Sequence, residues 1–333
     1  MRKRMIGLAG MQILGTVAAL TLVCMALNQS WQVAVTLGMI MSLSSTAIVL
    51  QTLSEKRLMQ TAGGRSAFAV LLTQDIAVIP MIALMPLLAT RVVPGADGET
   101  QVGADFMHSL PGWMAALVTL GAVAAVVLIG QYLIRPLFRY VHAARLDELD
   151  TALALLIVVG IASLMEFVGL SPALGTFLAG VMLAGSEFRH NLEGQIAPFK
   201  GLLLGLFFIT VGVGMNFQIL YERPVTVLGI TVVLIAIKAA ILHGIARVTG
   251  LRGRDRTLFT LSLAQAGEFG FVLLSYAVSL AILPRALGQA FLLVIALSML
   301  ATPLLFILSD YISRRIAEER AAGRKFLLQR VTP

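Results

Sequence analysis

Residues 66–88 read SAFAVLLTQDIAVIPMIALMPLL, an apolar run of bilayer-crossing length with one charged side chain, Asp75, well inside it. A carboxylate at that depth costs roughly 2.5–3.5 kcal/mol on insertion scales, so such residues face a bundle interior or a water-filled cavity and mark ion or proton paths. Gln74 precedes Asp75, Pro80 follows it, and no basic residue lies one helical turn away. In a low-dielectric setting a carboxyl titrates nearer neutrality than in water. It can therefore release a proton and take a dehydrated cation in its place. One anionic site serving two competing cations is sufficient for exchange.

The rest of the chain has the same character. Of 333 residues, 58% are hydrophobic and 13% charged, against about a quarter charged in a soluble domain. Ten spans are predicted, at about 5–27, 31–53, 66–90, 112–134, 151–169, 172–187, 199–219, 224–247, 257–282 and 287–309. The sixth is short and opens at Pro172, a residue suited to a first helical turn. The first runs too far for the apolar part of a cleavable leader, so it reads as a span.

Loop charges test this division. Twenty-one of the 25 Lys and Arg residues fall on one side of the predicted bilayer; Arg91, Arg223 and Arg285 fall on the other, with the acidic loop Asp97, Glu99 and Asp105. Cytoplasmic loops carry such an excess, which puts both termini in the cytoplasm. The net charge of +8 is therefore loop charge and not a nucleic-acid surface. Cys24 is the single cysteine, and His108, His142, His190 and His243 are dispersed, so no cysteine or histidine metal site and no cofactor is expected. No G-x-S-x-G or G-x-G-x-x-G motif points to an enzyme.

The basic residue left over is Lys238, inside VVLIAIKAAIL, and Glu268 is likewise deep in a span. Asp75, Lys238 and Glu268 each have an alternative as half of an interhelical salt bridge. Glu166 and Glu187 lie near span ends and read as interfacial. Two stretches interrupt their spans. Ser42-Leu43-Ser44-Ser45-Thr46 places hydroxyls where they can satisfy backbone freed by unwinding, and Gly267-Glu268-Phe269-Gly270 weakens helix with two glycines. Close packing through small residues is the competing account of each. Spans one to three start inside and spans eight to ten start outside, each set with its break in the middle member. Inverted repeats whose broken helices meet at the midplane are a transporter plan. Lys238 and Glu268 would offset the partial charges of half-helix ends there, or bind.

Three long segments carry a family resemblance: SLSSTAIVLQTLSEKRLMQTAGGRSAFAVLLTQDIAVIPMIALMPLLA (42–89), ALGTFLAGVMLAGSEFRHNLEGQIAPFKGLLLGLFFITVGVGMNF (173–217) and QAGEFGFV (265–272). Together they resemble the membrane domain of Kef-type glutathione-gated potassium efflux systems, within the monovalent cation:proton antiporter superfamily.

The resemblance implies an all-α inverted-repeat antiporter fold with two crossing broken helices, exchanging potassium, with sodium as the other candidate, for protons by an elevator-like movement. Asp75 takes the place of the ion-binding aspartate and Gln74 that of the Gln beside it. Ser44, Ser45 and Thr46 match the first crossover, Gly267, Glu268 and Phe269 the second, and Lys238 a core lysine. Residues 1–310 are then the exchanger domain, with core helices at about 5–90 and 224–309 and linker and scaffold helices at about 112–219. Residues 311–333 form a basic tail, read either as lying on anionic lipid or as a solvated linker. A homodimer in the bacterial inner membrane is implied for the full-length form.

Relative to the family plan, about three helices before Met5 and a nucleotide-binding domain after Pro333 are not in this sequence. The segment holding His190 and Glu193 is a candidate regulatory contact, and has Gly194 and Gln195 where acidic character is common in the family. A separate nucleotide-binding regulatory protein is thus a candidate partner. The competing functional readings are a potassium channel-like protein and a solute:cation symporter on a similar fold.

Overall fold

The computed structural model describes residues 2–89, 121, 124, 126, 128, 130, 132, 136–141, 147–167, 172–184, 187, 189–313 and 315. The described elements are all helices: α1 (Arg2–Ala26), α2 (Trp31–Ser42), α3 (Thr46–Glu55), α4 (Ala62–Leu88), α5 (Asp147–Phe167), α6 (Pro172–Ala184), α7 (Arg189–Gly214), α8 (Phe217–Glu222), α9 (Pro224–Val248), α10 (Arg254–Ser262), α11 (Phe269–Ser279) and α12 (Arg285–Leu300). A thirteenth, α13 (Thr302–Ser313), continues α12 at a bend of 42°.

Among the described residues five helical stretches are long and apolar enough to cross a membrane, six if the bent α12–α13 pair is one span. Among the predicted spans, 5–27 is α1, 31–53 is α2 with α3, 66–90 is α4, 151–169 is α5, and 224–247 is α9. The span predicted at 257–282 is α10 with α11, and that at 287–309 is α12 with α13. Most of the span at 112–134, the acidic loop at 97–105 and most of the basic tail lie outside the described residues. One stretch differs from expectation. The segment with His190 and Glu193, predicted as a loop, forms the first turns of α7. Arg189 and Glu193 stand 3.6 Å apart as an i,i+4 pair there, which supports helix although the stretch is too polar to read as a span.

The chain divides into two compact units, one of Met1–Val92 with Met215–Pro333 and one of Val93–Gly214. In the first, α1 packs on α2, α4 and α9; α10 packs on α4 and α9; and α11 packs on α2, α4 and α12. A cluster including Leu53, Val70, Leu71, Leu242, Phe259 and Phe306 closes one end of this unit, joining α3, α4, α9, α10 and α13. The outer faces are apolar too. On α9, Val225 is 83% exposed and Val232 64%, whereas Lys238 is fully buried. Apolar side chains outside and the charged one inside is the arrangement lipid imposes. In the second unit α5 packs on α6 and α7 around Leu153, Ala154, Leu183 and Leu192. Arg139 and Glu187, both exposed, lie 3.4 Å apart within it.

Candidate site at the crossing of two broken helices

Both interrupted stretches are unwound. The helix of α2 stops at Ser42, Leu43 and Ser45 take extended backbone angles, and α3 begins at Thr46. Ser45 caps α3 by accepting from the Ile48 amide at 3.4 Å. In the second stretch α10 stops at Ser262 and α11 begins at Phe269. Each break leaves backbone groups without intrahelical partners in a place where water cannot satisfy them. The side chains around the breaks supply the partners.

The two breaks cross in direct contact. The Ser44 hydroxyl donates to the Leu263 carbonyl at 2.8 Å. A Cβ on Gly267 would stand 2.6 Å from the Ser44 carbonyl carbon and oxygen, so only glycine fits there. The Ala266 amide donates to the Ser298 hydroxyl of α12 at 3.0 Å, which ties the second break to that helix.

Lys238 serves the acceptors. Its ammonium donates to Leu43 O and Gln265 O at 2.7 Å each, and to Ser42 O and the Ser44 hydroxyl at 3.2 Å each. Two of these are carbonyls at the C-terminal end of α2, and the third is from the second break. The C-terminal end of a helix carries partial negative charge, so a cation there is favoured. Burying such a group costs less when it is hydrogen-bonded, and its N–H groups are shared among these four uncharged acceptors.

Carboxylates serve the donors. Asp75 Oδ1 accepts from the Thr46 hydroxyl at 3.0 Å. Glu268 Oε1 accepts from the next residue's amide, Ala47 N, at 3.2 Å. Two acids from opposite halves of the sequence thus converge on the first turn of α3, the end of a half-helix that carries partial positive charge. Glu268 Oε2 is shielded from solvent and has no hydrogen-bond partner. Both acids are partly rather than fully buried.

Gln74 bridges the first break. Its carboxamide oxygen accepts from Ser44 N at 2.9 Å, and its nitrogen donates to Ser42 O at 3.2 Å and to Gln12 Oε1 at 2.6 Å. Gln12, on α1, is fully buried and itself donates to Ser42 O at 3.1 Å and to the Thr16 hydroxyl at 3.2 Å. Sequence reading passed over Gln12 and Ser298. The available signal for Gln12 was its i,i+4 spacing from Thr16 in an otherwise apolar span.

The residues predicted for the site therefore separate by place. Ser44, Ser45, Thr46, Gln74, Asp75, Lys238, Gly267 and Glu268 gather at the crossing, and Phe269 is the first residue of α11. His190 and Glu193 lie in the other unit, on α7. Among the described residues no group of three His, Cys, Asp or Glu side chains could hold a metal ion.

Comparison with known proteins agrees with this architecture. The family model described as "Sodium/hydrogen exchanger, transmembrane" matches residues 1–307. The chain is 43% identical over 319 residues to glutathione-regulated potassium-efflux system protein KefC of Escherichia coli strain K12, covering 96% of this chain and 50% of that protein. Proteins of the same name in Escherichia coli O139:H28 and Shigella boydii serotype 18 match with the same identity and coverage. The chain spans about half the length of these curated relatives. With its apolar helices and matched length, it is a multi-pass membrane protein and belongs to the sodium/hydrogen exchanger transmembrane family.

Proposed function

We propose that this chain exchanges a monovalent cation, potassium, for protons by alternating access, with Asp75 as the group that binds either one. The observation that carries this reading is the position of Asp75. It is a partly buried carboxylate held by Thr46 at the N-terminal end of a half-helix, where the two breaks cross. A negative charge, or a cation bound beside one, is placed where the half-helix end offers partial positive charge. The Thr46 hydroxyl orients it without neutralising it. A cation and a proton compete for the same oxygens, and only one leaves in each half-cycle.

The other residues hold the place. Lys238 neutralises the carbonyl ends so that the crossing does not bind a cation on its acceptors. Gln74 ties α4 to the first break and so sets the position of its neighbour Asp75. Potassium in place of sodium is taken from the name of the similar KefC proteins. In this proposal the helices at about 5–90 and 224–309 form the moving core, and those at about 112–219 are linker and scaffold helices. Homodimerisation of the full-length form, a bacterial inner-membrane location and control by a separate nucleotide-binding protein belong to the same proposal.

The test is potassium-driven proton movement in proteoliposomes. Asp75→Asn keeps the size of the side chain and its acceptor oxygen for Thr46 but removes the charge. Coupled exchange is expected to vanish. In the wild type, acidifying the medium should raise the potassium KM with little change in the maximal rate, the pattern of competition for one site. Exchange that survives Asp75→Asn would sink the assignment.

A further inference from the structure

We infer that Gln12 is a positioning residue of the exchange site, fixing the orientation of the Gln74 carboxamide and through it the place of Asp75. The inference rests on the exchange reading above. Gln12 is on α1, outside both breaks, and is fully buried.

The orientation of Gln74 follows from backbone groups whose chemistry is unambiguous. Ser44 N can only donate, so the Gln74 atom 2.9 Å from it is the oxygen. Ser42 O can only accept, so the atom facing it is the NH2 group. The Gln74 carboxamide therefore spans the break from a carbonyl to an amide two residues on, replacing ladder bonds that the unwound segment lost. Turned over, it would set donor against donor and acceptor against acceptor.

Gln12 excludes that turned-over state. Its oxygen lies 2.6 Å from the Gln74 nitrogen, the shortest of the Gln74 bonds, and accepts only from the NH2 face. Gln12 is in turn oriented by its own NH2 group, which donates to Ser42 O and to Thr16. Ser42 O thus receives donors from Gln12, Gln74 and Lys238 at 3.1–3.2 Å. A carbonyl offers two lone pairs, so this point is saturated and leaves Gln74 little freedom. Gln74 and Asp75 are consecutive on α4, and Asp75 bonds Thr46, two residues after Ser44. Any roll of α4 that follows a turned Gln74 changes the distance from Asp75 to Thr46. A small displacement at a binding carboxylate is felt as lost affinity.

The experiment measures potassium-driven proton movement with the full 333-residue chain in proteoliposomes, at matched amounts of folded protein. The variants are Gln12→Met, which keeps the volume and removes the bonds, and Gln12→Glu, whose protonated carboxyl keeps the acceptor for Gln74 and one donor for Ser42 O. Loss of one net hydrogen bond predicts a potassium KM raised by about threefold to tenfold in Gln12→Met. Gln12→Glu should return most of that loss. A residue that only packs would lower the yield of folded protein and leave KM alone. If Gln12→Met does not fold, Gln12→Asn, one methylene short of Gln74, carries the same expectation of a raised KM. An unchanged KM in the folded variant, or Gln12→Glu as impaired as Gln12→Met, overturns the inference while the exchange reading stands. A wild type that moves no protons under potassium overturns both.

Discussion

Lys238 shows what one residue can hold together. It is fully buried and spends its donors on Ser42, Leu43, Ser44 and Gln265, so it joins two segments that no helix bond joins. Removing it leaves Leu43 O and Gln265 O without that donor in a water-poor interior, and orphaned acceptors of that kind cost about 1–3 kcal/mol each. Lys238→Met is therefore expected to destabilise the protein by about 3 kcal/mol or more, read as a lower melting temperature of the detergent-solubilised chain. Lys238→Arg should keep part of the stability, because guanidinium also donates to carbonyls but in a planar fork. A Lys238→Met protein that melts with the wild type would show that the carbonyls find other partners.

Residue by residue, the sequence was unevenly informative. Asp75, Lys238 and Glu268 were legible because charge inside an apolar run is conspicuous. Their roles were less so: that Lys238 meets carbonyls rather than a carboxylate depends on which backbone groups unwinding exposes, and no local pattern encodes that. Gln12 was illegible for a different reason. A single amide in a span costs less than a charge and has several harmless explanations, and two of its three partners are 30 and 62 residues away.

At the level of elements, the crossing is a contact between backbones. Gly267 lies against Ser44 C and O, where the neighbour is main chain and cannot swing aside. Gly267→Ala should therefore force the breaks apart and abolish exchange. Gly270→Ala is its control, because the nearest atom to an added Cβ there is the flexible end of Ile295, at 2.9 Å. It should retain most of the activity in the same proteoliposome assay. If both variants exchange at wild-type rates, close approach at Gly267 is not required. Hydroxyls and glycines inside apolar spans signalled both breaks in advance. Their extents, from Ser42 to Thr46 and from Ser262 to Phe269, needed the structure, since helix ends are set by which bonds find substitutes. The α12–α13 bend was not foreseen either, although Pro303 sits beside it and such residues commonly bend helices.

For the molecule as a whole, the side of each loop is the quantity to test. Helix α9 is a single apolar rod of 25 residues, about 37 Å at helical rise, with Arg223 at one end and Arg252 just past the other. Arg223→Cys and Arg252→Cys, each in a chain with Cys24→Ala, should label from opposite faces of the membrane with an impermeant thiol reagent. Labelling from the same face would refute the alternation read from the loop charges. That alternation is read from the distribution of Lys and Arg, a whole-chain property that tolerates errors in any one boundary. The helical start of α7 at Arg189 was missed because its charges pair along the helix, and hydropathy alone cannot tell a polar helix from a loop.

The bond from Ser44 to Leu263, with Gly267 pressed on Ser44, makes the two unwound segments a single mechanical part. Each is measured against the other, so the length of one is a specification for the length of the other. An inserted residue in Leu43–Ser45 would carry Ser44 past both its partners and strand Lys238 and Gln74 together. A matching insertion in Leu263–Glu268 could not repair it, because α4 and α9 would stay where they are. The crossing therefore tolerates exchange of side chains more readily than any change in chain length, and an engineer seeking a different cation should alter the groups around it and leave its spacing alone.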